Sequence, residues 1–238
     1  MNRNILRETD GAARALARRL VREAPYAALA VNEEETGFPL ASRVLLATDI
    51  DGAPAILVSG LSVHTRAIEA DDRVSILTGE PAKGDPLAHP RLTTRCHARL
   101  VDRESVHHAW LRRRFLSRHP KAKTYIDFPD FNLFRLEPVS ANLNGGFGKA
   151  FVLEGADLVR PDALKSYRWF DSSYAAKHAE GMFLQVENKD YAFIDIDPEG
   201  IYFRERRIIA RHDFEKVSTN HDELLELVHE FACKIPKI

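Results

Sequence analysis

One arginine in an apolar run is the first residue to ask for a chemical explanation. Ser42, Arg43, Val44, Leu45 and Leu46 read as a buried strand carrying a single guanidinium. Such burial is costly unless an anion faces the group, and a phosphate can take its forked donors in bidentate fashion. Glu33 to Glu35 offer a protein partner as the other reading. A second cluster lies where a strand gives way to a helix start: Ser59, Ser62, His64, Thr65 and Arg66 set hydroxyls, an imidazole and a guanidinium beside free amides. Helix N-termini attract anions, although a plain helix cap accounts for the same residues. The hairpin signal Asp51-Gly52 predicts that the strands carrying Arg43 and Ser59 pair, which would bring both clusters to one anion.

Two further features carry less information. Gly145, Gly146, Phe147 and Gly148, followed by Lys149, form a glycine-rich turn. It serves either as a bend needing positive φ or as a place where backbone amides approach a planar ligand. His97 shares the polar face of the alternating run Arg91 to Val101 with Arg95 and Arg99, a face that solvent alone can satisfy. His107 and His108 fall on the exposed side of a basic helix, and His221 and His229 flank the last helix. Cys96 and Cys233 are too few for a disulfide framework and lack zinc-site spacing; both read as small buried hydrophobes, and no metal site is expected.

Other chemistries are excluded by what the chain lacks. It has no nucleophile elbow, no zinc-protease helix motif, no phosphate-binding lysine loop and no dinucleotide fingerprint. Among 238 residues, 34 basic side chains nearly balance 35 acidic ones, so no global field would hold nucleic acid or an anionic membrane. No apolar run is long enough to span a bilayer and Met1 to Arg7 lack a secretory core, which gives a cytoplasmic expectation.

The elements that must position these residues follow from periodicity. Thr9 or Asp10 caps a helix burying Ala13, Leu16, Ala17, Leu20 and Val21, with Arg14, Arg18, Arg19 and Arg22 outward, until Pro25 stops it. Strands are expected at Tyr26 to Val31, Ala41 to Thr48, Ala55 to Ser59, Val74 to Thr78, Arg91 to Val101, Phe131 to Glu137 and Val139 to Leu143. A short helix falls near Ser62 to Ala70, and the basic helix from Glu104 to Arg118 is expected to bury Val106, Ala109, Trp110 and Leu116. Many strands on short turns indicate an antiparallel barrel. Residues 155–238 read as a small α+β unit after a barrel domain of residues 1–154. That unit carries a helical pattern at Ser166 to Glu180, strands near Met182 to Val186, Tyr191 to Ile196 and Ile201 to Phe203, and a capped final helix burying Leu224, Leu227, Val228 and Phe231.

Taken together, the block Ala41 to Leu46, the block Ser59 to Arg66, Ala70-Asp71-Asp72-Arg73 before a strand, and Asn144 to Lys149 resemble the pyridoxamine phosphate oxidase-like superfamily. More narrowly they resemble its haem-utilisation branch. The resemblance covers roughly residues 10–155. It implies a six-stranded split barrel, a homodimer with cofactor sites at the interface, and FMN as cofactor, with haem as the alternative. Function would then be that of a flavoprotein oxidoreductase, a haem-binding or haem-degrading protein, or a non-enzymatic binding dimer. Carried over by position, Arg43, Val44 and Leu45 would meet the flavin, Ser59, Ser62, His64, Thr65 and Arg66 its phosphate end, and His97 the flavin of the opposing subunit. Gly146, Phe147, Gly148 and Lys149 would close the pocket. Val63-His64 stands where the pyridoxal-salvage oxidases carry Arg-Lys, and the C-terminal tail has no histidine for haem.

Overall fold

A computed structural model describes residues 6–146, 148–160, 183–186, 189–205 and 208–234. The chain divides into two compact units, Met1–Val159 and Arg160–Ile238. In the first, helix α1 (Gly11–Arg22) starts at Asp10, whose carboxylate accepts from the Ala13 amide at 2.7 Å. Then come β1 (Tyr26–Asn32), β2 (Pro39–Thr48), β3 (Pro54–Ser59), α2 (Val63–Ala70), β4 (Arg73–Thr78), β5 (Arg91–Leu100), α3 (Val106–Arg118), β6 (Phe131–Asn144) and β7 (Ala150–Glu154).

Six strands run antiparallel in the order β3-β2-β1-β4-β5-β6, and β6 closes on β3 to make a barrel. Closure is possible because β6 is long. Its first part, Phe131 to Arg135, pairs with β3, while Ser140 to Asn144 pairs with the added strand β7. Pro138 does not end the strand as its lack of an amide suggested. The register slips between Cys96↔Pro138 and Arg95↔Ser140, leaving Val139 as the extra residue of a bulge that turns β6 from one partner to the other.

Strand alternation sorts the side chains into layers. Leu29, Val44, Leu46, Ile56, Val58, Ile76, Cys96 and Leu136 fill the interior together with Ala67 and Ile68 of α2. Ala47, Ala55, Leu57 and Leu133 point out from β2, β3 and β6, and α3 covers them with Leu111 and Phe115. Helix α1 lays Ala13, Ala17 and Val21 on Leu92, Ala141, Leu143 and Leu153. Among the described residues of this unit, no helix gives such cover to the outward side of β1, β4 and β5 with the adjoining ends of β2 and β6. A row of register partners crosses it: Arg43, Ala28, Leu77, Thr93, Asn142 and Val152, each exposed or half-buried.

Several expectations are corrected here. The buried stripe of α3 is Leu111, Arg114, Phe115 and Arg118, while Val106 is 62% exposed and Ala109 is also exposed. Hydropathy misphases the helix because two of its inward residues are arginines: Arg114 Nε donates to the Thr48 carbonyl and Arg118 Nη2 to the Arg22 carbonyl. Arg22, expected outward, is buried too: it ends α1, its carbonyl accepts from Arg118, and its guanidinium lies under Gly52. Leu100 is exposed and Val101 buried, so the alternation of β5 flips at its end.

His107, expected as surface decoration, belongs to a buried ionic group at the β2–β3 turn. Arg135 of β6 reaches Asp49 at 2.5 Å and both oxygens of Asp51 at 2.9 and 2.6 Å, and His107 Nε2 lies 2.6 Å from Asp49. Both carboxylates are almost fully buried.

The second unit holds the sheet β11-β10-β9-β8, with β8 (Phe183–Val186), β9 (Lys189–Asp197), β10 (Gly200–Glu205) and β11 (Ile208–Asp213), followed by helix α4 (His221–Lys234). Strand β11 was not expected, because Ile208 and Ile209 are its only large apolar residues beside charged ones. It brings Arg211, which binds Asp197 through two nitrogens at 2.6 and 2.9 Å beneath the Tyr202 hydroxyl. Leu224, Leu227, Val228 and Phe231 are buried as expected. The helical pattern at 166–180 and the side chain of Cys233 lie outside the described residues.

Burial pushes the Asp49 carboxyl up, but the His107 hydrogen bond and the Arg135 charge outweigh it and hold the group down at about 2. This carboxylate therefore contributes stability that is complete above its unfolded value near 3.8 and is lost as pH falls toward 2. Denaturation of Asp49→Asn should show a loss of about 3 kcal/mol at neutral pH, the low end for a broken buried pair because Asp51 still faces Arg135. The variant's stability should also fall less steeply than the parent's between pH 4 and pH 2.

Candidate functional site

Position along the strands decides which expected site residues can act on a ligand. Arg43 lies on the outward side of β2 and is exposed, not buried; its guanidinium stacks 5.2 Å from the Tyr26 ring centre. The apolar run around it misled the sequence reading, since Leu45 is also 37% exposed and only Val44 and Leu46 point inward. Among the described residues no carboxylate pairs with Arg43, and Glu33 instead accepts the Thr36 hydroxyl.

The β2–β3 ladder runs from Leu46↔Ile56 to Thr48↔Pro54, so the strands pair as the hairpin signal predicts. Continued, that register would bring Arg43 level with Ser59. Beyond Leu46, however, β2 is bonded to β1 and β3 to β6, so the two residues are not ladder partners.

Ser62 is the N-cap of α2 yet makes no side-chain cap bond. Arg66 is exposed, and His64 is half-buried, which lowers its pKa below the usual imidazole value. Two expected hydroxyls are taken up inside the protein. Thr65 is fully buried and its Oγ1 donates to the Ser59 carbonyl at 2.7 Å. Ser59 Oγ donates to Asp130 at 2.6 Å, while the Gly60 amide donates to the Asp130 carbonyl. Asp130 thus fixes the β3–α2 junction, and no periodicity marks it from 71 residues away.

His97 lies elsewhere on the outer face. From Arg43 to β5 there are three strand spacings, and Thr93, level with Arg43 by register, stands four residues from His97. The separation along the sheet is therefore roughly 20 Å. His97 Nδ1 lies 2.8 Å from Asp72, which also takes Arg99 Nη1 at 2.5 Å, while Arg99 Nε reaches Glu137 at 3.1 Å. The His97 hydrogen bond, with help from the Arg99 charge, holds the Asp72 carboxyl below its usual value. Arg73, opposite His97 in the ladder, is paired with Asp71 at 2.7 Å. An open groove of about 410 Å³ beside His97 is lined in part by Ala30, Ser75, Arg95 and Val139.

The glycine turn follows the bend reading. Asn144 Oδ1 accepts the Gly146 amide, Gly145 donates to the Lys149 carbonyl, and Lys149 donates back to Gly146. Gly146 has φ +104° and comes so near the Ala88 carbonyl that a Cβ would stand 2.9 Å from it. Gly148 has φ +71°, Lys149 is exposed, and Phe147 lies outside the described residues.

Comparison with known proteins places this architecture. The sequence pattern of the family described as CREG, beta-barrel, matches residues 8–158. The chain belongs to the CREG beta-barrel family. A 124-residue stretch is 33% identical to the atypical chloroplast heme oxygenase HOZ of Arabidopsis thaliana, covering 52% of this chain and 37% of that protein, so the chain spans little more than a third of this relative. A protein of unknown function from Agrobacterium tumefaciens aligns with TM-score 0.73 and 26% identity over 93% of this chain and 96% of its own. A heme binding protein from Mycobacterium smegmatis shares the fold at TM-score 0.56 and 23% identity, over 96% and 98% of the two chains. Among the described residues no helix is long and apolar enough to cross a membrane.

Binding and structural roles separate by mutation. Arg43→Ala should change stability by no more than about 1 kcal/mol, the worth of an exposed cation–π contact. Thr65→Val should cost about 1 kcal/mol through the lost hydrogen bond to Ser59. Thermal melts of the two variants measure both changes, and a loss from Arg43→Ala well above that from Thr65→Val would give the arginine a structural role.

Proposed function

We propose that this chain is a haem-binding split barrel, working as a homodimer with its ligand seated against the uncovered outer face. The observation that carries the reading is the fate of the hydroxyls. Ser59 and Thr65 commit their protons internally, whereas Arg43 and Arg66 have no carboxylate partner among the described residues. Both guanidinium groups are thus open to an anion, while the α2 start is short of the neutral donors that a dianionic phosphate ester uses. Such a set suits carboxylates, each of which one guanidinium can take in bidentate fashion. The identity to a heme oxygenase over half the chain supports the same ligand class.

The residues present fit such a group. Outward apolar side chains, Leu77 at 43% and Val152 at 43% exposed among them, offer contact area to a planar ring and exclude water from it. Bound haem would supply the iron and its oxygen chemistry. The chain's task is to hold the carboxylate arms and fix the ring's orientation. In the homodimer, Arg43 of one copy and His97 of the other could meet one ligand, which their separation on a single sheet would not allow.

One observation favours FMN as a second reading: the Ser62 hydroxyl makes no cap bond and stands beside the α2 amides and Arg66. Bound flavin would then supply the redox chemistry of an oxidoreductase.

Titration of the purified protein with haemin and, separately, with FMN decides between them. Haemin should give a shifted Soret band at micromolar protein, and Arg43→Ala should weaken its binding by about 1.5–3 kcal/mol. Sedimentation should show a dimer. A protein that retains FMN and leaves the haemin spectrum unshifted would overturn the haem reading.

A further inference from the structure

We propose that His97 ligates the haem iron through Nε2, with Asp72 as its positioning residue; the assignment rests on the haem reading above. A carboxylate has no proton to give at neutral pH, so Nδ1, 2.8 Å from Asp72 Oδ1, carries the hydrogen of the imidazole. In the neutral imidazole, the form that ligates a metal, the lone pair is then on Nε2, and among the described residues nothing hydrogen-bonds that atom. A ring anchored to a carboxylate through one nitrogen and open at the other is the arrangement by which proteins fix a ligating histidine and raise its basicity.

Asp72 is itself held. Arg99 ties it to Glu137 across the β5–β6 ladder, so the ring's orientation is set by two strands and the α2–β4 junction. Around the ring the charges are matched: Arg73 sits on Asp71, and Arg99 on Asp72 and Glu137. Arg95 is the exception, donating only to the Ser140 hydroxyl at 3.3 Å, and it lines the same groove. That leaves one guanidinium beside the open nitrogen for a carboxylate arm, and Ala30 and Val139 for the ring's apolar surface.

Other histidines meet these conditions less well. His64 has no hydrogen-bonding anchor, His89 Nε2 contacts the Lys83 carbonyl, His119 Nε2 the Leu46 carbonyl, and His107 gives its carboxylate contact to the buried ionic group.

Haemin titration of the parent, His97→Ala, Asp72→Asn and His89→Ala, read by Soret position, affinity and low-temperature electron paramagnetic resonance, tests the assignment. His97→Ala should lose the parent's axial signature and more than about a hundredfold in affinity, since removing only a supporting residue costs roughly 10–100-fold. Added imidazole should restore the signature to His97→Ala. Asp72→Asn should still bind haemin, with an altered axial-ligand spectrum and a weakening within that range, and His89→Ala should match the parent. A parent that binds haemin while His97→Ala keeps the same spectrum and affinity would overturn the ligand assignment and leave the haem reading intact. A parent that leaves the haemin spectrum unshifted would overturn both.

Discussion

Arg135 gripping Asp49 and Asp51 is the contact on which the barrel's closure turns. The guanidinium belongs to β6, the strand that must meet β3 to shut the cylinder, and the carboxylates belong to the turn that joins β2 to β3. Burying one cation and two anions would be prohibitive if any were left alone. His107 from α3 supplies a further donor to Asp49, the Ile50 amide meets the other Asp49 oxygen, and the Ala53 amide adds a second donor to Asp51 Oδ1. The same contact therefore fixes the seam and draws α3 against the outside of β2, β3 and β6.

That covering decides where a ligand can go. The interior is filled by aliphatic side chains, α1 occupies the inward face of the β5–β6–β7 segment, and α3 takes one outer face. What stays open is the outer face of β1, β4 and β5 with the adjoining ends of β2 and β6. Its side chains are unusual for exposed sheet: alanines, Leu45 and Leu77 beside Arg43 and Arg95. An apolar sheet face bearing isolated guanidinium groups favours a flat ligand with anionic arms over plain water, and in the proposed homodimer it is the face that would meet the second copy.

Much of the fold was legible, because alternation and turn chemistry report directly on packing. The helix start at Asp10, the Asp51-Gly52 turn, the strands of the barrel and the buried stripe of the last helix all follow from period and capping. Failures occurred where charged groups are buried. Arg114 and Arg118 pack inward because carbonyl oxygens meet them, Arg22 ends α1 beneath Gly52, and a hydropathy pattern records such residues as surface. Arg43 failed in the opposite sense, since an arginine among Val44, Leu45 and Leu46 looks buried until the strand is known to alternate around it. Asp130 and its bond to Ser59 had no local signal. Asp72 did, in the Asp71-Asp72-Arg73 block, although its partner His97 is 25 residues away and only the β4–β5 register unites them.

The commitment of hydroxyl protons carries the final step from geometry to ligand class. A serine has one proton, and Ser59 gives it to Asp130, whose negative charge can accept nothing better nearby. Any anion approaching the α2 N-terminus must therefore bind without that donor and at hydrogen-bonding range of a carboxylate's serine. A dianionic phosphate suffers twice over from this, through the missing donor and through like-charge repulsion, whereas a singly charged carboxylate taken by Arg43 or Arg66 suffers about half the repulsion. On the proposed haem reading, selectivity between the two anion classes would thus reside in Asp130, which need not touch the ligand because it has already claimed the Ser59 hydroxyl.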